Sequence, residues 1–337
     1  MPGIREINHG PSLEDIIPEV GQVVQVDEAV LNELPPGARV ISASSYGTSL
    51  WTRTAQVVAA LPNGTTKNYF LKCATGDNGK VMMNGEFESM QTIYAIMPTF
   101  CPKPLAWGTY KGTPSTYFFL CDFHEMGQSP PEPVEFCAAL AELHTRGTSP
   151  NGKFGFHITT CNGSVPQDNS WKDTWQEFFA AGFKHMLRLD EETNGPHARI
   201  LELSKPWFDI VIPRLLSPLE SNGRSVKPSL VHGDLWFGNA ATVVETGRPM
   251  VFDACVFYGH NEYEMGNWRP VRNKFGRNYS RNYTKHFPIS EPEEDFDDRN
   301  ALYSTRFNLH ASILFPGSTR FRKMVAEEME RLVTKFS

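Results

Sequence analysis

Two aspartates and an asparagine in the last third of the chain have a spacing that suits phosphoryl transfer. Asp234 and Asn239 lie in the run 232–239, His-Gly-Asp-Leu-Trp-Phe-Gly-Asn, and Asp253 follows at the end of an apolar segment. Kinase-like enzymes use this spacing to place a base and two magnesium ligands around a nucleotide triphosphate. The motif therefore predicts a phosphotransferase, and the alternative is a turn, which Gly, Asp and Asn also favour.

The chemistry assigns a role to each of the three side chains. Mg²⁺ takes a few hard oxygen ligands beside the phosphates, and Asn239 and Asp253 carry such oxygens. Residues 240–245 and 249–252 are predicted as two short strands of a hairpin that would return Asp253 to Asn239. Asp234 would then face the acceptor hydroxyl and take its proton as the phosphoryl group is transferred.

Composition and charge exclude several other classes of protein. The chain has 337 residues, of which 40% are apolar and 21% charged, with a net charge of -6. This length favours two lobes. The mild acidity argues against a nucleic-acid partner, which needs clustered Lys and Arg. The basic run 269–281 is the exception, and we expect a solvated face or the edge of a substrate site there.

The sequence contains no apolar segment typical of membrane insertion. Residues 1–15 lack a run of signal-peptide length, and no eighteen apolar residues follow one another. We expect a cytoplasmic protein with no membrane partner. Without a Cys-x-x-Cys pair, the cysteines are expected to be reduced and mostly buried. They are Cys73, Cys101, Cys121, Cys137, Cys161 and Cys255.

The first third of the chain has the composition of an antiparallel sheet, rich in β-branched and aromatic residues. The loop 44–49 joins the first two predicted strands, and its Gly47 and Thr48 would lie over the nucleotide phosphates. Because this loop has a single glycine, a plain hairpin is an equal alternative. The predicted strands are residues 38–44, 51–61, 67–73, 103–110 and 116–121.

Lys72 lies in a strand that is apolar on both sides of it, so its ammonium should have an anionic partner. The next segment is a predicted helix with apolar residues at spacings of three and four between Met83 and Met97. Glu86 and Glu88 both lie on this helix, on different faces. We favour Glu86 as the partner that would hold Lys72 against the phosphates, and Glu88 is the competing candidate.

After the fifth strand, polarity rises and the chain becomes helical. Residues 122–128 are predicted to form a hinge, in which backbone groups of Phe123 and His124 would contact the adenine edge. Helices are predicted over residues 130–144, 171–189, 198–216 and 325–336. Residues 288–298 are predicted to form an acidic loop.

The motifs together resemble those of the fructosamine/ketosamine-3-kinase family, also called protein-ribulosamine 3-kinases. The resemblance rests on the run 232–239, on Phe252-Asp253, and on residues 257–264, Phe-Tyr-Gly-His-Asn-Glu-Tyr-Glu. It also includes a mid-chain block from Phe154 to Trp175, and it extends from about Lys72 to Glu264. The tryptophan after His-Gly-Asp-Leu and the Phe-Tyr-Gly-His block separate the chain from aminoglycoside and choline kinases.

The resemblance implies an α+β, two-lobed protein-kinase-like fold, with an N-lobe over residues 1–121 and a C-lobe over 129–337. It implies ATP and Mg²⁺ as cofactors, and phosphorylation of the 3-hydroxyl of ketosamines on small amines or protein lysines. By position, Lys72 and Glu86 would anchor the phosphates, Asp234 would be the base, and Asn239 and Asp253 would hold magnesium. Substrate contacts would come from Trp236 and His232, and the alternative for Trp236 is a core indole.

Two departures from the family pattern concern the acceptor side. Ala254-Cys255 follows Asp253 where the family usually has Pro-Ala, and Met265-Gly266-Asn267-Trp268-Arg269-Pro270 replaces an apolar helix. Two other functions therefore stay open. One is a small-molecule kinase of the aminoglycoside or choline type that acts on another amino sugar or metabolite, and the other is a kinase-like binding module without turnover. The sequence does not determine the sugar or the oligomeric state.

Overall fold

A computed structural model describes residues 21–337, and the first 20 residues of the predicted N-lobe lie outside the described part. The described chain first forms a five-stranded antiparallel sheet and then a mainly helical region. We call these the N-lobe and the C-lobe. No helix within 21–337 is long and apolar enough to cross a membrane.

The N-lobe sheet confirms all five predicted strands, with ends that differ by at most two residues. Across the sheet the strands follow chain order except that the fifth lies between the third and the fourth, and every neighbouring pair is antiparallel. A short helix, α1 (Glu28–Leu31), precedes the sheet. The strands are β1 (Arg39–Ser45), β2 (Arg53–Ala60), β3 (Thr66–Thr75), β4 (Pro104–Thr109) and β5 (Thr116–Asp122).

Alternation along β3 decides where Lys72 points. Tyr69 and Leu71 belong to the apolar core of the N-lobe, whereas Ala74 belongs to the large core shared with the helices. Because successive side chains point to opposite faces of a strand, Lys72 lies on the same face as Ala74, towards α2 (Gly76–Ile96). The predicted helix is confirmed, and it begins seven residues before Met83.

The C-lobe contains the four predicted helical regions. The segment predicted as one helix over 198–216 is divided at Pro206, after which residues 207–211 form a wider turn before a further helix. Proline removes a backbone donor, which is why the regular ladder is interrupted there. These helices are α3 (Pro133–Arg146), α4 (Trp175–Asn194), α5 (Ala198–Pro206) and α6 (Ile212–Leu216), and the fourth region is the closing helix of the chain.

The remaining elements frame the site motifs or cover them. Three two-stranded antiparallel pairs lie in the C-lobe: β6 with β7, β8 with β11, and β9 with β10. These strands are β6 (Cys161–Asn162), β7 (Val165–Pro166), β8 (Ser229–Val231), β9 (Ala240–Thr242), β10 (Pro249–Val251) and β11 (Phe257–Gly259), and the later helices are α7 (Tyr263–Gly266), α8 (Arg277–Tyr283), α9 (Phe296–Leu314) and α10 (Thr319–Phe336).

The sequence did not predict α9, which lies at the centre of the C-lobe. This helix is buried on nearly every side and includes buried Arg299, Thr305 and His310, so no single apolar stripe marks it. The prediction of an acidic loop over 288–298 is wrong at its C-terminal end, because Asp298 lies in α9. Its buried carboxylate pairs with Arg331 at 3.1 Å and with Lys335.

The basic run 269–281 is only partly a solvated face. Arg269 forms a 2.8 Å ion pair with Asp297, and Arg272 lies over the Phe321 ring. Arg277 and Arg281 are exposed on α8. Since two of its arginines contact other parts of the C-lobe, the run does not form one continuous basic patch. All six cysteines are free, and four of them are buried.

Candidate active site

Two short strand pairs shape the loop that carries Asp234. The strand β8 leads into residues 232–239 and pairs with β11, and β9 leaves the loop and pairs with β10. The register of β9 and β10 places Val251 opposite Ala240, and the Phe252 N–H donates to the Asn239 carbonyl at 3.0 Å. The hairpin predicted from the sequence is therefore confirmed, and it brings Asp253 next to the end of the Asp234 loop.

Gly233 and Glu264 fix the backbone just before Asp234. Gly233 has a φ of +86°, and a Cβ there would lie 2.4 Å from the carbonyl oxygen of Cys255, so only glycine fits without displacement. The carboxylate of Glu264, fully buried on α7, accepts hydrogen bonds from the N–H groups of His232 at 2.6 Å and Gly233 at 3.2 Å. Both contacts hold the loop against the C-lobe core.

The carboxyl of Asp234 is held by two side-chain amides. Asn239 Nδ2 donates to Oδ2 at 3.1 Å and also to the Asp234 carbonyl at 2.9 Å, while Asn267 Nδ2 donates to Oδ1 at 3.2 Å. Burial has the largest effect on the Asp234 carboxyl and, together with repulsion from Asp253 and Glu264, raises its pKa to about 7 against the lowering effect of the Asn162 and Asn267 amides. A carboxyl with this pKa is suited to accepting a proton near neutral pH.

Asn239 and Asp253 present oxygen atoms at the same end of the loop. Because Asn239 directs its Nδ2 towards Asp234, its Oδ1 is left as an acceptor. Asp253 has a φ of +56°, a left-handed conformation that few residues other than glycine adopt. Partial desolvation raises the pKa of Asp253, but the Lys72 ammonium outweighs this effect and lowers the pKa below its usual range. Asp253 is therefore an anionic carboxylate at neutral pH.

Lys72 connects the N-lobe to this loop. Its Nζ lies 2.8 Å from a carboxylate oxygen of Glu86 on α2 and 2.9 Å from Oδ1 of Asp253. Burial lowers the pKa of Lys72, and the two carboxylates outweigh it and raise the pKa above its usual range. Burial raises the pKa of Glu86. Glu88, the competing candidate, lies near His157 instead, at 3.3 Å.

The two predicted substrate contacts occupy different environments. His232 is fully buried, and its Nε2 lies 2.9 Å from the Phe252 carbonyl. The expectation that His232 touches a substrate is wrong, because its side chain lies beneath the loop and packs it against Phe252. The Trp236 indole is half-buried, edge-on to Phe237 at 5.0 Å. It also covers Gly238, where a Cβ would lie 2.5 Å from the ring.

The predicted phosphate loop and hinge are neighbours. Gly47 and Thr48 are exposed in the connection between β1 and β2, and the adjacent Tyr46 ring meets Phe123 edge-on at 4.9 Å. The Phe123 N–H donates to the Asn68 carbonyl at 3.3 Å, so this hinge donor is engaged. In the described part of the chain, no hydrogen bond engages the backbone N–H of His124. The donor for an adenine edge would therefore come from His124.

Glu264, Asn267 and Asn162 are site residues to which the sequence alone gave no role. The sequence contained a weak indication that Glu264 is buried, because this carboxylate lies between Tyr263 and Met265. A carboxylate buried there needs hydrogen-bond partners. Asn267 lies in the segment that departs from the family pattern. The buried Asn162 helps to lower the pKa of Asp234 from the β6 strand. Nothing local in the sequence links Asn162 or Asn267 to Asp234.

The structure combines an antiparallel sheet lobe, a helical lobe and a Lys72–Glu86 pair in contact with Asp253. This combination defines a protein-kinase-like phosphotransferase. The sequence model of the fructosamine kinase family matches residues 53–335. The chain belongs to the fructosamine kinase family and is an ATP-dependent kinase.

Curated relatives match most of the chain. It is 29% identical over 267 residues to the chloroplastic protein-ribulosamine 3-kinase of Oryza sativa subsp. indica, covering 76% of this chain and 70% of that protein. It is 28% identical over 259 residues to the ketosamine-3-kinase of Mus musculus, covering 69% of this chain and 78% of that one.

Solved structures share the fold. A structure from Thermobifida fusca YX-ER1, assigned to the fructosamine-3-kinases, has a TM-score of 0.70 at 20% identity. The match covers 92% of this chain and 100% of that chain. The aminoglycoside phosphotransferase APH(4)-Ia, in complex with AMP-PNP and hygromycin B, has a TM-score of 0.59 at 14% identity, with 92% of this chain and 98% of that chain covered. At these identities the likeness concerns the fold alone.

Proposed function

We propose that the chain is a ketosamine 3-kinase, which transfers the γ-phosphoryl group of ATP to the 3-hydroxyl of ribulosamine or fructosamine adducts. The amine would be a small molecule or a protein lysine. One observation carries the proposal: the Asp234 carboxyl is held by Asn239 in a loop that the β9–β10 hairpin brings next to Asp253, and Asp253 is paired with Lys72. The acceptor class is supported by the names of the two curated relatives described above.

The proposed reaction uses each side chain for one task. The acceptor oxygen attacks the γ-phosphorus, the bond from this phosphorus to the β-phosphate oxygen breaks, and ADP leaves. The proton of the acceptor hydroxyl passes to the Asp234 carboxylate, whose raised pKa suits this transfer. Lys72, positioned by Glu86, neutralises phosphate charge. A phosphate ester formed next to the ketosamine carbonyl is prone to elimination, which frees the amine and reverses glycation.

The residues present fit a magnesium ion. Asn239 Oδ1 and the anionic Asp253 carboxylate are hard oxygen ligands, which Mg²⁺ prefers. We propose that they hold the ion, which would supply charge neutralisation to the phosphates. The left-handed backbone of Asp253 supports this assignment, because strained conformations of this kind concentrate at functional sites.

The other nucleotide and substrate contacts are part of the same proposal. Gly47 and Thr48 would cover the phosphates, and the backbone N–H of His124 would contact the adenine edge next to the Phe123 backbone. The half-buried Trp236 would form a platform for the sugar or its amine. The sequence predicts an N-lobe over residues 1–121, a hinge over 122–128 and a C-lobe over 129–337. It also predicts a cytoplasmic location.

Activity on defined ketosamines tests the proposal. Purified protein is incubated with ATP, Mg²⁺ and ribulosyl-, fructosyl- or psicosyl-lysine derivatives, and phosphorylated product is detected by mass spectrometry. We expect a 3-phosphate on at least one ketosamine, and loss of product when Mg²⁺ is chelated. Asp234→Asn should lower kcat by roughly 10²–10⁴-fold while nucleotide still binds.

Matched controls separate the proposal from its alternatives. Asp253→Ala should abolish magnesium-dependent turnover, whereas Asp297→Ala, at the Arg269 ion pair, should leave it intact. Product from an amino sugar or choline but from no ketosamine would favour the small-molecule kinase. Nucleotide binding without product from any acceptor would favour the binding module.

A further inference from the structure

One arginine of the basic run 269–281 has a buried donor without an acceptor. Arg272 lies in a single helical turn, Val271–Asn273, and its Nη2 donates to Asn308 Oδ1 on α9 at 2.7 Å. Its Nη1 is buried and has no hydrogen-bond partner within residues 21–337. A buried donor on a charged group that lacks an acceptor costs free energy, because water no longer solvates it. The side chain is therefore suited to an acceptor that the described residues do not supply.

The charge that acts on Arg272 is another arginine rather than a carboxylate. Burial and the charge of Arg320 together lower the pKa of Arg272 to about 10, and no carboxylate within residues 21–337 raises it. Arg269, three residues earlier, differs in forming a 2.8 Å ion pair with Asp297. Arginine binds carboxylate and phosphate groups through two parallel hydrogen bonds. Because two like charges without a counter-charge repel each other, this pair favours a bound anion.

A row of aromatic rings links Arg272 to the N-lobe. Its guanidinium lies 5.1 Å from the centroid of the Phe321 ring, and the Phe321 and Phe315 centroids are 5.9 Å apart. The Phe315 ring in turn lies 6.2 Å from Trp51, in the loop between β1 and β2 that also carries the proposed phosphate contacts. Arg272 therefore lies where the C-lobe meets the loop that would cover the nucleotide.

The residues that follow this arginine contact the catalytic loop. Asn273 Nδ2 donates to Asn267 Oδ1 at 2.8 Å, and Asn267 Nδ2 donates to Asp234 Oδ1 at 3.2 Å. The ammonium of Lys274 lies 4.0 Å from the centroid of the Phe237 ring, in the same loop as Asp234. The unpartnered guanidinium is thus next in sequence to a residue two hydrogen bonds away from the proposed base. This places it on the acceptor side of the catalytic loop.

We propose that Arg272 and Arg320 form an anion subsite for the acceptor, which binds a carboxylate or phosphate group that the ketosamine carries away from its reacting hydroxyl. This inference rests on the proposed ketosamine 3-kinase function and narrows its substrate class. The anion gives Arg272 Nη1 its missing acceptor and offsets the repulsion between the two guanidiniums. A neutral acceptor leaves Nη1 without a partner, and buried polar groups left unpaired in this way discriminate strongly between substrates.

The test compares kcat/KM within two pairs of acceptors that differ only in one anionic group. The first pair is a fructosyl-lysine with a free α-carboxylate and its carboxamide. The second pair is a ribulosyl-alkylamine with and without a 5-phosphate. We expect the full chain to prefer the anionic member of at least one pair by about tenfold or more. The pair that shows the preference identifies the source of the anion, and equal kcat/KM values within both pairs overturn the inference.

Variants assign the preference to this pair of arginines. Arg272→Met keeps an apolar stem over Phe321 and removes the charge, so the preference should fall about tenfold, and Arg272→Lys should restore part of it. Arg320→Gln should lower the preference by a smaller factor. Arg277→Gln is the matched control, at an exposed arginine on α8 in the same basic run, and should leave the preference intact. If Arg272→Met does not fold, Arg320→Gln carries the test, because Arg320 is exposed.

A readout without turnover separates this inference from the proposed function. With the nucleotide site filled by AMP-PNP and Mg²⁺, inorganic phosphate is titrated into the full chain, and the Arg272 Nε–H signal is followed by ¹⁵N NMR and assigned by its loss in Arg272→Met. We expect a saturable change that weakens in Arg320→Gln.

The outcomes distinguish the two proposals. A saturable change in a protein that phosphorylates no ketosamine supports the anion subsite and counts against the proposed acceptor. Ketosamine phosphorylation with no anionic preference leaves the proposed function standing and overturns the subsite. A preference that survives in folded Arg272→Met and Arg320→Gln, or that Arg277→Gln removes equally, also overturns it.

Discussion

Lys72 on β3 and Asp253 after β10 form a 2.9 Å ion pair across the two lobes. Glu86 lies on the other side of the same ammonium, at 2.8 Å. One cation thus serves two carboxylates, one from the α2 helix of the N-lobe and one from the loop proposed to hold magnesium. This shared charge holds the proposed nucleotide anchor, Lys72, next to the proposed metal ligand, Asp253.

Replacing this lysine should affect both catalysis and stability. In Lys72→Met the two carboxylates lose their counter-charge, so we expect a higher KM for ATP and a fall in kcat of about tenfold or more. Unfolding free energy should drop by about 2 kcal/mol, less than for a fully buried pair because the Asp253 side chain is 44% exposed. Steady-state kinetics and urea denaturation measure the two effects.

Lys67→Met is the matched control for Lys72→Met. Lys67 lies on β3, as Lys72 does, and pairs with Asp122 on β5 at 2.7 Å, but its side chain is 38% exposed. We expect a change of at most about 1 kcal/mol and normal kinetics. Equal losses in the two variants would contradict the special role of Lys72.

Activity should depend on pH through the Asp234 carboxyl. Burial raises its pKa to about 7, and a general base acts only when deprotonated, so kcat/KM should rise with pH through about 7. Below that value the rate should fall about tenfold per pH unit. Rates measured from pH 5 to 9 under saturating Mg²⁺ check this. A profile that stays flat down to pH 5 would exclude Asp234 as the base.

Glycine at position 233 should be indispensable to the loop. Gly233→Ala places a Cβ 2.4 Å from the Cys255 carbonyl at a φ of +86°. The variant should lose about 3 kcal/mol of stability and most of its activity. Thermal denaturation and product formation are the measurements.

Gly182→Ala provides the comparison for Gly233→Ala. Gly182 lies inside α4, where a Cβ would meet nothing within 4 Å. Alanine is the better helix former, so this variant should gain about 0.5–1 kcal/mol. Destabilisation of equal size at both sites would mean that the loop geometry is not what makes Gly233 necessary.

The buried carboxylate of Glu264 should be needed as an acceptor for two backbone N–H groups. Glu264→Gln keeps one acceptor oxygen and turns an amide donor towards the other N–H, so we expect a stability loss of about 2 kcal/mol. The loop before Asp234 should loosen, and kcat should fall. Glu88→Gln, at a partly exposed carboxylate near His157, should change neither melting temperature nor kcat. Unchanged melting of Glu264→Gln would contradict the role given to its hydrogen bonds.

The sequence by itself determined the parts that depend on short spacings. The content of β-branched and aromatic residues and the turn residues predicted the five N-lobe strands and the hairpin between Asn239 and Asp253, because strand preference and turn formation depend on short stretches of sequence. Spacing also brought out Asp234, since phosphoryl transfer needs a base and metal ligands at fixed separations. Lys72 inside an apolar strand required an acidic partner, and the helix predicted after that strand offered two candidates, Glu86 and Glu88.

Only the tertiary structure decided what depends on contacts between distant segments. The sequence favoured Glu86 but kept Glu88 as a candidate, and the rotation of α2 relative to β3 confirmed Glu86 as the partner of Lys72. Because α9 is buried on nearly every side, its apolar residues do not follow a helical period, and the sequence pattern did not predict this helix. His232, expected to contact the substrate, is instead fully buried, with its Nε2 2.9 Å from the Phe252 carbonyl. The hydrogen bond from Asn267 to Asp234 depends on the close packing of the neighbouring Gly266 against α9. Packing of this kind is a property of the whole fold.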